Sequence, residues 1–205
     1  MDHPMTQPAD TVARIGPNAI IQVAQALAAD PGPEVRDRLL TAAGLTHYLD
    51  RLPEAMVPES EVSALQAALG RELGTNKAAE VNRRAGAATA AYLLAHRIPR
   101  PAQVVLKALP AGPAAAILLK AVGKHAWTFA GSGTFSYRTG QPVSIDIAHC
   151  PICRDQQADG PVCDFYTATF ETLFRTLVHP RTTATQTTCR AAGAPSCTFS
   201  LSWTT

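Results

Sequence analysis

Cys163, Cys189 and Cys197 stand in the pattern C-x25-C-x7-C, and Cys150 and Cys153 form a C-x2-C pair just upstream. Thiolates are soft anionic donors that suit zinc. A hairpin that brings two of them together needs only one or two more ligands to close a tetrahedral site. Cys189 and Cys197 flank the turn Ala191-Ala192-Gly193-Ala194-Pro195, and Cys163 opens a predicted helix, where the positive end of the dipole favours a thiolate. A closed site of this kind is structural and redox-silent. The plain alternative is a set of buried free thiols, because free cysteine packs as a small apolar side chain. Five cysteines also leave one over from any pure disulfide framework. The Cys150–Cys153 pair is a further source of metal ligands, a redox pair or a pair of loop thiols. A thioredoxin-like role is disfavoured, because no helix follows the pair directly and no βαβ unit surrounds it.

Other chemistry is hard to find. Gly131-Ser132-Gly133 is the nearest approach to a dinucleotide-binding G-x-G-x-x-G, but Ser136 stands where the third glycine belongs. There is no P-loop, no local Ser/His/Asp signature, and no ferredoxin-type cysteine spacing. No residue is nominated as catalytic.

The elements that must position the cysteines are legible from periodicity. Pro17 starts a short amphipathic helix over 18–27, closed by Asp30-Pro31-Gly32-Pro33. Helices follow over 34–43, over 59–73 with Val62, Leu65, Leu69 and Leu73 at helical spacing, and over 76–96. The last is rich in alanine around Gly86, which lets another helix come close. Tight internal packing is preferred over a dimer seam or the wall of a flat ligand site. Two short helices lie around 102–109 and 114–124. The character changes at Trp127: aromatic and β-branched residues run to Arg138, and Val143-Ser144-Ile145-Asp146-Ile147 alternates as a half-buried strand does. A helix over 164–178 precedes a hairpin of 182–190 and 197–203. The order, helices and then β-β-α-β-β, predicts an α+β protein in which an N-terminal helical part packs on a C-terminal antiparallel sheet. The expected divisions are a flexible arm (1–14), a helical part (15–125) and a sheet domain with the cysteine site (126–205).

Charged residues are 17% of the chain, below the ~25% usual for soluble domains. A chain so short of charge has apolar surface to cover, in a dimer, a ligand cavity or a membrane contact. The net charge of +2 is scattered, which speaks against nucleic acid as a partner. No basic-then-apolar leader and no run of ~18 apolar residues is present. The expected location is cytoplasmic, with a peripheral contact at the membrane surface as the variant.

The segment Val162-Cys163-Asp164-Phe165-Tyr166, together with Thr188-Cys189-Arg190-Ala191-Ala192-Gly193-Ala194-Pro195-Ser196-Cys197-Thr198-Phe199, resembles the 4-vinyl reductase domain, a small-molecule-binding module. Three further blocks resemble the BchJ family of bacteriochlorophyll-biosynthesis proteins of phototrophic bacteria. They are Ala13–Ile20, Tyr92–Pro99 and His125–Gly133. The resemblance implies the fold of that domain and a structural zinc. In the sensor branch the metal is held by three cysteines, matching Cys163, Cys189 and Cys197, and by a glutamate whose place is taken here by Gln186. A neutral amide is a poor zinc ligand. Three residues from Cys189 on a regular strand, it would also face the opposite side unless a bulge intervenes. Cys150 or Cys153 is the candidate replacement.

The resemblance further implies a Mg-tetrapyrrole ligand such as divinyl protochlorophyllide, bound in an apolar pocket between the helical part and the sheet. The chain would deliver it to a bacteriochlorophyll-biosynthetic enzyme, and a homodimer is expected. The alternative is a vinyl reductase that converts the pigment's vinyl group to ethyl with electrons from elsewhere. His125 is the candidate axial ligand. Trp127, Phe129 and Phe135 are candidates to stack on the macrocycle, and ordinary core or surface placement is the bland alternative for all four.

Overall fold

A computed structural model describes residues 12–204. The arm expected over 1–14 lies outside the described residues except for its last three, and Arg14 belongs to a short strand, β1 (Arg14–Ile15). This strand pairs antiparallel with β2 (Val57–Pro58).

Helix α1 (Asn18–Ala29) buries Ile20, Val23, Ala24 and Leu27, the i, i+3, i+4, i+7 stripe of an amphipathic helix. Helix α2 (Pro33–Ala42) begins with proline at its first position, where the missing N–H costs nothing, and buries Leu39 and Leu40. Helix α3 (Glu59–His96) is a pair of arms joined at Gly74, whose φ of 74° and ψ of 165° are not helical. The arms fold back on each other. Gln66 and Asn82, each eight residues from Gly74, exchange two buried amide hydrogen bonds of 2.9 and 2.8 Å. The boundary between the helices expected over 59–73 and 76–96 is therefore the turn of a helical hairpin. Helices α4 (Arg100–Ala108) and α5 (Ala111–Lys124) complete the helical part.

The aromatic stretch from Trp127 does not begin as a strand. It opens with the single-turn helix α6 (Trp127–Ala130), because the Thr128 and Ala130 amides reach back to the His125 and Ala126 carbonyls at 2.9 and 2.7 Å. Gly131, at φ 59°, then turns the chain into β3 (Thr134–Arg138). Strands β4 (Val143–Ala148), β5 (Thr182–Thr188) and β6 (Ser196–Trp203) join β3 in an antiparallel sheet ordered β3-β4-β6-β5. Helix α7 (Asp164–Leu177) runs between β4 and β5 in sequence.

Side-chain alternation puts Val143, Ile145 and Ile147 of β4 and Cys197, Phe199 and Leu201 of β6 on the buried face, while Ser144, Asp146, Thr198 and Ser200 look outward. Helix α7 lies between this face and the second arm of α3, so it is buried on both sides. Phe170 meets Phe199 of the sheet at 5.5 Å between ring centroids, and the Thr169 hydroxyl donates to the Gly86 carbonyl at 3.1 Å. Gly86 permits this approach. A Cβ there would lie 2.2 Å from the Phe165 carbonyl oxygen. The small-residue face of α3 thus serves internal packing.

Candidate functional site

All five cysteines are buried in one pocket, assembled from four separate pieces of chain. Cys150 and Cys153 come from the loop after β4. Cys163 is the residue that precedes α7. Cys189 follows β5, and Cys197 is the second residue of β6. The sulfurs of Cys150, Cys153, Cys163 and Cys197 all lie within 4.8 Å of one another. Cys150–Cys163 and Cys163–Cys197 are 3.8 Å apart, and Cys153–Cys197 is 3.3 Å. Cys189 sits at the margin, 4.0 Å from Cys197. Zinc–sulfur bonds of ~2.3 Å place the corners of a tetrahedron about 3.8 Å apart. The spacing therefore fits a four-thiolate metal ion, with five thiols available for four corners.

Gln186 is not among the thiols. Its side-chain oxygen accepts the Cys163 amide at 2.9 Å, and its amide nitrogen donates to the Thr188 carbonyl at 3.0 Å. The register of β5 against β6 shifts between Gln186 and Thr188, which is the bulge that lets Gln186 turn inward. Gln186 thus caps the start of α7 and fixes the backbone of Cys163.

The electrostatics of the bare pocket are those of crowded thiols. Hydrogen bonds from Cys150 and then from the other three drive the Cys153 thiol far below its ordinary range. Cys163 is pushed well above the ordinary range, by Cys150 first, with burial adding to the effect. Cys197 is pushed up as well, by Cys150 and Cys153. Cys189 is opposed by Cys153 but brought down to about 6 by Cys163 and Cys197. One thiolate is stabilised by its neighbours' S–H groups, and further ionisation is resisted. A divalent cation inverts this logic, because it compensates several thiolates at once.

The C-x2-C loop is anchored by residues that carry no motif. The Ser63 hydroxyl of α3 donates to the Pro151 carbonyl at 2.8 Å. Arg154, next to Cys153, makes a close ion pair with Glu59, the first residue of α3. Glu59 is only 6% exposed and also accepts the Ser132 amide at 2.8 Å and the Ser132 hydroxyl at 2.7 Å. Burial works against its charge, yet the Ser132 donors and the Arg154 guanidinium outweigh it and hold the carboxyl below its ordinary value. Gly131 makes room: a Cβ there would lie 2.2 Å from a Glu59 carboxylate oxygen. The Gly131-Ser132-Gly133 segment thus serves as a clasp for a buried carboxylate. Sequence reasoning missed this, since its members are 73 residues apart.

The four ligand candidates separate into two groups. Phe129 and Phe135 pack edge to face at 5.5 Å and belong to an aromatic cluster with Tyr166, Phe170 and Phe199. The Tyr166 hydroxyl donates to the Phe129 carbonyl at 2.7 Å, tying α6 to α7. His125 and Trp127 are exposed at the end of α5 and the start of α6. The space between α7 and the sheet, on the side where a ligand pocket is expected, is filled by the aromatic rings. Two open clefts of about 300 Å³ lie elsewhere. One is beside Arg83, Asp164, Glu171 and Gln186, the other beside Gln141, Arg181 and Trp203, and neither is lined by the four candidates.

The 4-vinyl reductase domain family matches residues 143–202, from β4 to β6, and so encloses the five cysteines. Over nearly the whole chain, the sequence is similar to the Bacteriochlorophyll synthase 23 kDa chain of Cereibacter sphaeroides, with 45% identity over 92% of this chain and 90% of the relative. The protein of the same name from Rhodobacter capsulatus is 38% identical over 95% of this chain and 89% of the relative. The fold is similar to that of an Fe(II) unliganded H-NOX protein from K. algicida, with a TM-score of 0.63, 11% identity, and 93% and 97% of the two chains covered. It is also similar to a structure concerned with heme distortion in the H-NOX family, with a TM-score of 0.58, 11% identity, and 93% and 96% covered.

Proposed function

The chain belongs to the family of the Bacteriochlorophyll synthase 23 kDa chain, and on that premise we propose that it is a BchJ-type protein that binds a Mg-tetrapyrrole precursor and delivers it to a biosynthetic enzyme. Its association with bacteriochlorophyll biosynthesis is common ground with those relatives, and its 4-vinyl reductase domain fits that association. One observation carries the finer reading. A chain of this family has the fold of H-NOX proteins, a family with structures concerned with heme, and heme is itself a metallated tetrapyrrole. The relatives' name, a chain of a synthase, supports an enzyme partner over free diffusion of pigment.

The residues supply a coherent route. The aromatic cluster of Phe129, Phe135, Tyr166, Phe170 and Phe199 is a flat apolar lining of the type a macrocycle needs. α6 covers one side of it and is held by a single turn of backbone bonds and by the Tyr166 hydroxyl. Moving α6 outward opens the cluster and brings His125 and Trp127 to the rim, where imidazole is available to the pigment metal. The cysteine pocket, when it holds zinc through Cys150, Cys153, Cys163 and Cys197, supplies a structural clamp. It locks the β4 loop, the start of α7 and the β5–β6 hairpin together, and so fixes one wall of the cluster. The sequence carries neither a dinucleotide fingerprint nor a ferredoxin-type cysteine spacing, which favours delivery over reduction.

Anaerobic titration with divinyl protochlorophyllide, with and without NADPH, tests the proposal. Saturable binding without conversion supports delivery. Conversion to the monovinyl pigment would replace it with the reductase. Absence of binding would remove the pigment assignment.

A further inference from the structure

Two short helices turn apolar residues outward. In α4, Leu106 points inward and is buried, while Val104 and Val105 are 67% and 56% exposed. At 100° per residue, Pro101, Val104 and Ala108 lie opposite Leu106, flanked by Arg100 and Lys107. In α5, Ala114, Ala115, Leu118 and Leu119 face the core, and Ile117 is on the other side, 49% exposed. Lys120 and Lys124, three and seven residues on, share that side. Trp127 follows directly, 61% exposed. Four of the five large hydrophobic residues left exposed among the described residues thus fall between positions 104 and 127.

Charge is partitioned in the same way. From Val81 to Ile145 the chain holds eight Lys and Arg and no Asp or Glu, although its total is only +2. Arg83 and Arg84 are engaged by Asp164 and Asp30. Arg97, Arg100, Lys107, Lys120 and Lys124 form no ion pair among the described residues. No helix is long and apolar enough to cross a membrane.

We propose that the outer face of α4 and α5, with Trp127, is a docking surface for an anionic phospholipid bilayer. Aliphatic side chains and a tryptophan flanked by Lys and Arg are what the headgroup region accommodates. The apolar tips enter shallowly, the indole sits at the interface and the cations reach the phosphates. The lack of any carboxylate across 65 residues leaves nothing in this stretch to repel an anionic surface. This surface stands apart from the pigment site, and its test needs no pigment.

The full chain is mixed with vesicles of equal parts phosphatidylglycerol and phosphatidylcholine, or of phosphatidylcholine alone, and co-sedimented. Binding is expected only with the anionic vesicles, weakening with salt. Each cation contributes ~1 kcal/mol at such a surface, so K107Q/K120Q/K124Q, all at exposed positions, is expected to bind about a hundredfold more weakly. In a W203F chain, where Trp127 is the remaining tryptophan, emission shifts to the blue on anionic vesicles. Equal binding to both vesicle types, or unchanged binding by the triple variant, would overturn the proposal. So would a self-association lost in V104S/V105S without any vesicle binding, which would make the face an interface between copies.

Discussion

Replacing single cysteines separates the four mutually close thiols from the marginal one. Cys153→Ser removes a corner whose sulfur is 3.3 Å from Cys197, whereas Cys189→Ser removes a thiol 4.0 Å from Cys197 and outside the group of four. With zinc in the proposed site, wild type and Cys189→Ser purify with one zinc per chain, and Cys153→Ser does not. A metal present at about a thousandfold its dissociation constant stabilises the fold by about 4 kcal/mol. In a domain of this size each kcal/mol moves the melting temperature by about 2–4 °C, so loss of the metal lowers it by about 8–16 °C. A chelator in excess should produce the same drop in the wild type and none in Cys153→Ser. Zinc by elemental analysis and melting by circular dichroism are the assays. Loss of zinc from Cys189→Ser with retention in Cys153→Ser would show that the corners are assigned wrongly. A metal-free wild type of undiminished stability would refute the site.

Glu59→Gln breaks the buried pair with Arg154 and is expected to cost about 3–5 kcal/mol near neutral pH. Because the folded carboxyl titrates below its ordinary 4.5, that stability is present above 4.5 and lost as pH falls through the folded value. The gap between wild type and variant should therefore close in acid, and a gap constant with pH would contradict the assignment. Gly86→Ala places a Cβ 2.2 Å from the Phe165 carbonyl and forces α3 and α7 apart, costing about 3 kcal/mol in a denaturant melt. An unchanged midpoint would mean that the helices do not approach as described. His125→Ala is expected to change the absorption of bound pigment while leaving the melting temperature intact, since His125 is exposed. An identical spectrum would remove it as axial ligand.

Local pattern made much of the fold legible. The 3.6-residue stripe of α1, the alternation of β4 and β6, and Gly74 between two helical runs all follow from side-chain spacing that burial must respect. The reading fails where backbone bonds override composition, as at Trp127–Ala130, whose aromatic and β-branched content suits a strand but whose amides close a helical turn. The cysteines can be named in advance, but not which of them converge, because sulfurs in contact lie up to 44 residues apart. Gln186 shows the boundary most clearly. Strand parity excludes it from the metal unless a bulge intervenes. The bulge is present, yet it aims Gln186 at the Cys163 amide. The Glu59–Arg154–Ser132 clasp has no local signal beyond Gly131, whose missing Cβ has meaning only once α3 is in place.

The most direct test of the central claim is the anaerobic titration of the purified chain with divinyl protochlorophyllide, read by pigment absorbance and fluorescence, beside Phe129→Ala. The account predicts saturable binding to the wild type, no conversion with or without NADPH, and at least about tenfold weaker binding by the variant, which removes a ring of the aromatic cluster worth ~1.5–3 kcal/mol when buried. Conversion of the vinyl group, or pigment binding that ignores Phe129, would contradict it.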